Sequence, residues 1–206
     1  MAVKIKICGI TRYEDARIAA NLGVDAIGFI FYPKSPRFIQ PADARDIITR
    51  LPPFISKVGV FVNESVDTTN TVVSRFGIDT VQLHGDEPPD MLDRIQAPVV
   101  KSFSVGPDFD LNVLFEYKPA AFLLDTWDKE KRGGTGKTFD WNIARAATSQ
   151  TTPIILAGGL GPSNIEEALH NVTPYGVDIS SGVEIMPGVK NPHKMKDLVK
   201  KVKAFA

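Results

Sequence analysis

The residues best suited to chemistry stand at the ends of short apolar runs. Cys8 closes the run Lys4–Cys8, and Asp125 follows Ala121-Phe122-Leu123-Leu124. An ionisable group placed there is costly to bury without a purpose. A carboxyl group that keeps its proton through burial can act as an acid, and a thiolate with a lowered pKa can act as a base. Together they suit a reaction that protonates one atom of a substrate and removes a proton from its neighbour. Each has a plainer reading as well. Cys8 can be a small buried hydrophobe, and Asp125 can cap the loop that follows it. Two further stretches, Gly158-Gly159 and Ser180-Ser181-Gly182, also follow apolar runs. Glycines let backbone N–H groups approach an anion closely, and serines add donors without bulk. Either stretch alone could be a tight turn; the two together point to a phosphate.

Other polar residues are less committed. Arg37 lies in the proline-stiffened stretch Pro33-Lys34-Ser35-Pro36-Arg37, where a guanidinium could grip a carboxylate bidentately or sit as a solvated charge. His84, in Gln82-Leu83-His84-Gly85, either contacts a substrate or hydrogen-bonds its own loop. His193 opens the last helical stretch and reads as structural. The three histidines lack matching carboxylate spacing, so no metal site is expected. Residues 127–140 contain Gly133-Gly134-Thr135-Gly136-Lys137, which lacks the full spacing of a nucleotide-binding loop. A lid that excludes water is the better expectation for that segment.

The elements that must hold these residues alternate regularly. Strands are expected over Lys4–Cys8, 26–31, 57–62, Thr80–Leu83, 99–103, 121–125, 154–157 and 177–180. Helical periodicity fills the intervals: a first helix capped by Thr11, then 41–51, Val66–Phe76, 88–95, 141–148, 163–171 and 192–205. Ser163 with Glu166 suggests a capping box for the seventh of the eight helical stretches. Residues 108–117, after the fifth strand, make a weak and short helix at best. Strands that are apolar throughout are buried on both faces and therefore parallel. Eight such units predict one compact (β/α)₈ barrel domain over residues 1–206, with its fifth helix reduced. The dinucleotide turn of a doubly wound sheet is missing from Cys8-Gly9-Ile10-Thr11. In a barrel, Cys8 and Asp125 would end strands one and six. A ligand held by phosphate at strands seven and eight would then lie between them.

Bulk properties narrow the partners. Of 206 residues, 43% are hydrophobic, and 24 basic side chains balance 24 acidic ones. That balance offers no basic field for nucleic acid. The apolar runs are too short to span a bilayer. The amino terminus reads into a strand rather than a signal peptide. A single cysteine excludes an internal disulfide and fits a reducing, cytoplasmic setting.

The motifs jointly resemble the phosphoribosylanthranilate isomerase family of tryptophan biosynthesis. The stretches that carry the resemblance are Lys6-Ile7-Cys8-Gly9-Ile10-Thr11, Gly28-Phe29-Ile30-Phe31 through Ser35-Pro36-Arg37, and Gly59-Val60-Phe61-Val62-Asn63. To these add Val81-Gln82-Leu83-His84-Gly85-Asp86-Glu87, Leu124-Asp125, Gly133-Gly134-Thr135-Gly136, Leu156-Ala157-Gly158-Gly159-Leu160 and Asp178-Ile179-Ser180-Ser181-Gly182-Val183-Glu184. The resemblance implies an Amadori rearrangement of N-(5-phosphoribosyl)anthranilate, with Asp125 as general acid and Cys8 as general base. It implies Arg37 toward the anthranilate, His84 and Asp178 at the substrate, and Gly158, Gly159, Ser180, Ser181 and Gly182 at the phosphate. No cofactor, metal or obligate protein partner is implied; the partner is a small phosphosugar. Two alternatives remain: a non-catalytic phosphosugar-binding barrel, and the related isomerase of histidine biosynthesis. The latter pairs two aspartates, which Cys8 speaks against.

Overall fold

The computed structural model describes residues 2–126, 141–149 and 151–205. Eight parallel strands close into a barrel: β1 (Lys4–Cys8), β2 (Ala26–Ile30), β3 (Ser56–Phe61), β4 (Thr80–Leu83), β5 (Val99–Val105), β6 (Ala121–Thr126), β7 (Ile154–Leu156) and β8 (Gly176–Ile179). They pair in chain order, and β8 returns to β1 with Asp178 opposite Lys6. The helices between them are α1 (Tyr13–Asn21), α2 (Pro41–Ile48), α3 (Val66–Phe76), α4 (Pro89–Leu92), α5 (Trp141–Ala147) and α6 (Ile165–Val172), with α7 (Pro192–Ala204) last. The (β/α)₈ expectation is met. Between β5 and β6 the helix is reduced to a 3₁₀ segment, Leu111–Glu116, as the weak pattern there predicts.

Strand alternation explains why the runs are apolar throughout. Outward side chains such as Ile5, Ile7, Ile27, Phe29, Phe122 and Leu124 join the core under the helices. Inward side chains fill a narrow lumen. On one side these are Val100, Ala121, Leu123 and Ala157, with Ile155 against them. On the other side the lumen buries Lys6, Gln82 and Asp178. At its amino-terminal mouth a cavity of about 410 Å³ opens, lined among others by Lys4, Asp25, Ser56, Thr80 and Tyr175.

Several local expectations are corrected. Thr11 does not cap α1; its hydroxyl donates to the Gly188 carbonyl at 2.6 Å, and Arg12 holds the cap position without a side-chain bond. A tertiary partner has taken the hydroxyl. Ser163 and Glu166 form no capping box, because α6 starts after Asn164. The Asn164 amide instead ties down the preceding loop, accepting from the Gly161 N–H and donating to the Gly159 carbonyl. The helix expected over 88–95 shrinks to the four residues of α4. Between β8 and α7 lie a 3₁₀ turn, Ser181–Val183, and an antiparallel pair, β9 (Glu184–Met186) and β10 (Val189–Lys190), which hydropathy alone does not announce.

Candidate active site

The carboxyl ends of the strands gather the predicted residues. Going round the closed ring, β7 and β8 lie between β6, which carries Asp125, and β1, which carries Cys8. Both side chains are buried. Asp125 Oδ1 accepts from the Thr126 N–H at 2.8 Å, and Oδ2 lies 3.4 Å from His84 Nε2. His84, just past β4, therefore faces Asp125 rather than only bracing its own loop.

The glycine loops meet each other. Gly158 and Gly159 have φ of 85° and 62°, a region that favours glycine. A Cβ on Gly158 would collide with the Thr126 hydroxyl, and one on Gly182 would collide with the Leu160 carbonyl. So the end of β6 and the loops after β7 and β8 approach closely only because side chains are missing. The Thr126 hydroxyl beside Gly158 is buried without a hydrogen-bond partner at this junction, and so is the Ser180 hydroxyl, which lies beside Gly9 on the β1 side. Buried polar groups are rarely left unpaired, so this junction is suited to a polar ligand. Ser181 opens the 3₁₀ turn.

Arg37 departs from one of its two readings. It is buried rather than solvated, and Nε and Nη2 grip both carboxylate oxygens of Glu184 at 2.7–3.1 Å. Among the described residues the edge carrying Nη1 has no such partner, so an anion could meet the fork from that side. Glu184 also accepts from Lys190 Nζ at 2.7 Å. Lys190 in turn donates to the Cys8 and Ser180 carbonyls, joining β1, β8 and β10 beneath the site. Burial acts to raise the Glu184 pKa, but the Arg37 hydrogen bond and the Lys190 charge outweigh it and hold the carboxyl below its ordinary value. For Lys190 burial prevails, and its pKa is lowered despite Glu184.

Asp178 lies deeper than a simple substrate contact requires. Its Oδ2 accepts from Lys6 Nζ at 2.8 Å, while Oδ1 is buried and unpartnered. Lys6, Gln82, Glu184 and Lys190 have no role in the sequence reading. The signal available for Lys6 was alternation: Lys4, Lys6 and Cys8 occupy one face of β1. Lys101, inside β5, is paired with Glu87 at 2.7 Å. His193 lies in the first turn of α7, and its backbone N–H donates to the side chain of Asn191, the N-cap. The expected lid, 127–140, lies outside the described residues. Among the described residues no three His, Cys, Asp or Glu side chains gather as a metal site, and no helix is long and apolar enough to cross a membrane.

Comparison with known proteins decides the family. The family model described as N-(5'phosphoribosyl)anthranilate (PRA) isomerase matches residues 5–201. The chain belongs to this family. Its relatives include the N-(5'-phosphoribosyl)anthranilate isomerases of Geotalea uraniireducens, 50% identical over 98% of this chain and 99% of that protein, and of Geotalea daltonii, 48% identical over 97% and 96%. The crystal structure of the Thermotoga maritima enzyme superposes with a TM-score of 0.91 at 42% identity, covering 98% of this chain and 99% of that one. Another solved isomerase, in complex with reduced 1-(o-carboxyphenylamino)-1-deoxyribulose 5-phosphate, gives 0.87 at 40% identity, over 98% and 99%.

Proposed function

We propose that this isomerase of tryptophan biosynthesis converts N-(5-phosphoribosyl)anthranilate to 1-(2-carboxyphenylamino)-1-deoxyribulose 5-phosphate, with Asp125 as general acid and Cys8 as general base. The observation that carries the assignment is the ring order. Two buried proton-transfer groups flank two touching glycine loops, so one phosphosugar can reach all four. The phosphate takes Gly158, Gly159 and Gly182 backbone groups and the unpaired Ser180 hydroxyl, with Ser181 beside it. Asp125 delivers a proton to the ribose ring oxygen as the C1–O bond breaks and the amine nitrogen forms a C=N bond to C1. Cys8 then removes the C2 proton, and the electron pair moves to leave an enolamine. Tautomerisation to the C2 ketone, with a proton returned to C1, completes an isomerisation in which nothing is gained or lost. Arg37 presents its free edge to the anthranilate carboxylate, and Glu184 holds the guanidinium in place for it. His84 steadies Asp125. The setting proposed is cytoplasmic, with the small phosphosugar as partner.

The test is a fluorescence assay with freshly generated phosphoribosylanthranilate. Asp125→Asn and Cys8→Ser should each lower kcat by about 10²–10⁴-fold, while affinity for a product analogue is retained. Near-normal turnover in either variant removes that residue from its role.

A further inference from the structure

The barrel lumen beneath the proposed site holds a buried chain of polar groups that the reaction as written does not use. Lys6 Nζ donates to Asp178 Oδ2 and to Gln82 Oε1, both at 2.8 Å. Lysine has donors only, so the Gln82 oxygen must face it and the Gln82 NH₂ must face the other way. That NH₂ lies 2.9 Å from His84 Nδ1, which therefore accepts. The His84 proton is thereby placed on Nε2, the nitrogen turned toward Asp125 at 3.4 Å. Cys8 sits two residues above Lys6 on the same face of β1. The two side chains meet over Gly28: a Cβ there would lie 2.7 Å from Cys8 Sγ and 3.0 Å from Lys6 Cε.

We infer that Lys6 is a positioning residue for both proton-transfer groups: from the lumen it favours the thiolate of Cys8, and through Gln82 it sets the His84 tautomer that faces Asp125. This rests on Cys8 being the base. Among the described residues the charged groups that act on the sulfur are Lys6 on β1, Asp178 on β8 and Lys190 on β10. β2 contributes only Ala26 and Gly28 on the facing register. Burial pushes the thiol pKa up, Lys6 and Lys190 pull it back, and Asp178 adds to the rise. Burial likewise works against the Lys6 ammonium, but Asp178 and Cys8 outweigh it and raise its pKa, so Lys6 stays charged at neutral pH. Lys6 is thus the nearest lever that keeps a buried thiol able to ionise, and Asp178 holds that lever in place while opposing it.

The chain has one cysteine, so an NMR titration of isotope-labelled cysteine reads Cys8 alone. In Lys6→Met its midpoint should rise by about one pH unit or more, the usual effect of losing a nearby opposite charge. In Asp178→Asn it should fall, because an anion beside the sulfur is removed. A mere packing role for Lys6 would not produce opposite shifts. If Lys6→Met does not fold, Asp178→Asn decides alone: a fall supports the inference, and an unchanged or raised midpoint overturns it. Unchanged midpoints in both variants, or shifts in the same direction, also overturn it. The ascending limb of kcat against pH is measured in parallel. If it follows the NMR midpoint, both readings stand. If the midpoint moves and the limb does not, the inference about Lys6 stands and the assignment of Cys8 as base falls.

Discussion

The two sides of the barrel lumen follow the same strand alternation and bury opposite kinds of groups. Between β5 and β7 the inward residues below Asp125 are Val100, Ala121, Leu123, Ile155 and Ala157, which fill space, with Ser102 the one buried polar side chain set among them. Across β8, β1 and β4 the inward residues are Asp178, Lys6 and Gln82, bonded to one another and leading up to Cys8 and His84. A buried ion pair is weak evidence for stability, since desolvation offsets much of its attraction. An apolar filling like that on the β5–β7 side would serve the fold as well. The polar side is therefore explained better by what stands above it than by what it adds to the barrel. Asp125 belongs to β6, on the apolar side, and among the described residues reaches the polar chain through His84.

This contrast predicts that the two sides fail differently. Leu123 is fully buried, so Leu123→Ala should lower unfolding free energy by about 2–5 kcal/mol. The pH dependence of turnover should stay as it is. A shifted pH profile in that variant would mean that the apolar side also tunes the site. Gly28→Ala is the polar-side counterpart. The added methyl would press on Cys8 Sγ and Lys6 Cε, and overpacking of this kind costs about 1–3 kcal/mol. Turnover should fall out of proportion to stability, because misplacing a reacting group by about 1 Å can cost ~10²-fold. Denaturant unfolding and steady-state kinetics on the same preparations separate the two effects.

Gln82→Met then asks whether the polar side can be made apolar without loss. The variant breaks the link from Lys6 to His84, with an expected stability change of about 1–3 kcal/mol and a lower kcat. Full turnover would reduce Gln82 to filler and leave the contrast between the sides without functional content.

The barrel is legible in the sequence because parallel strands buried on both faces leave unbroken apolar runs, and eight of them recur at even spacing. The strand ends are legible for the same reason: a polar residue that terminates such a run stands out, as Asp125 does after Leu124. Lys6 is signalled only by its place on the Cys8 face of β1, and its partners Gln82 and Asp178 lie too far along the chain for any local pattern to show the link. Glu184 and Lys190 are less legible still. Each has its value through partners far along the chain, Arg37 and the Cys8 carbonyl, and no local pattern signals a pairing of that range. The same cause undoes the caps expected at Thr11 and Ser163. Local propensity offered each a helix end, while Gly188 and Asn164 decided where the bonds went.

The smallest expected effect is a slope of stability against pH that only the polar side can produce. Burial raises the Cys8 thiol pKa above its ordinary value of 9.0 in the folded chain. The unfolded chain therefore loses that proton first as pH rises, and the folded chain binds more protons over that interval. Stability from this group is fully present below the unfolded thiol pKa. It declines from there upward, at no more than about 1.4 kcal/mol per pH unit, until the folded thiol has ionised too. Cys8→Ser should flatten this alkaline decline, while Leu123→Ala lowers the whole curve and keeps its shape. Asp178→Asn, which removes an anion that raises the thiol pKa, should give an intermediate slope. Equal slopes in wild type and Cys8→Ser would mean that the thiol ionises alike in the folded and unfolded chain, and the electrostatic distinction between the two sides would not extend to the sulfur.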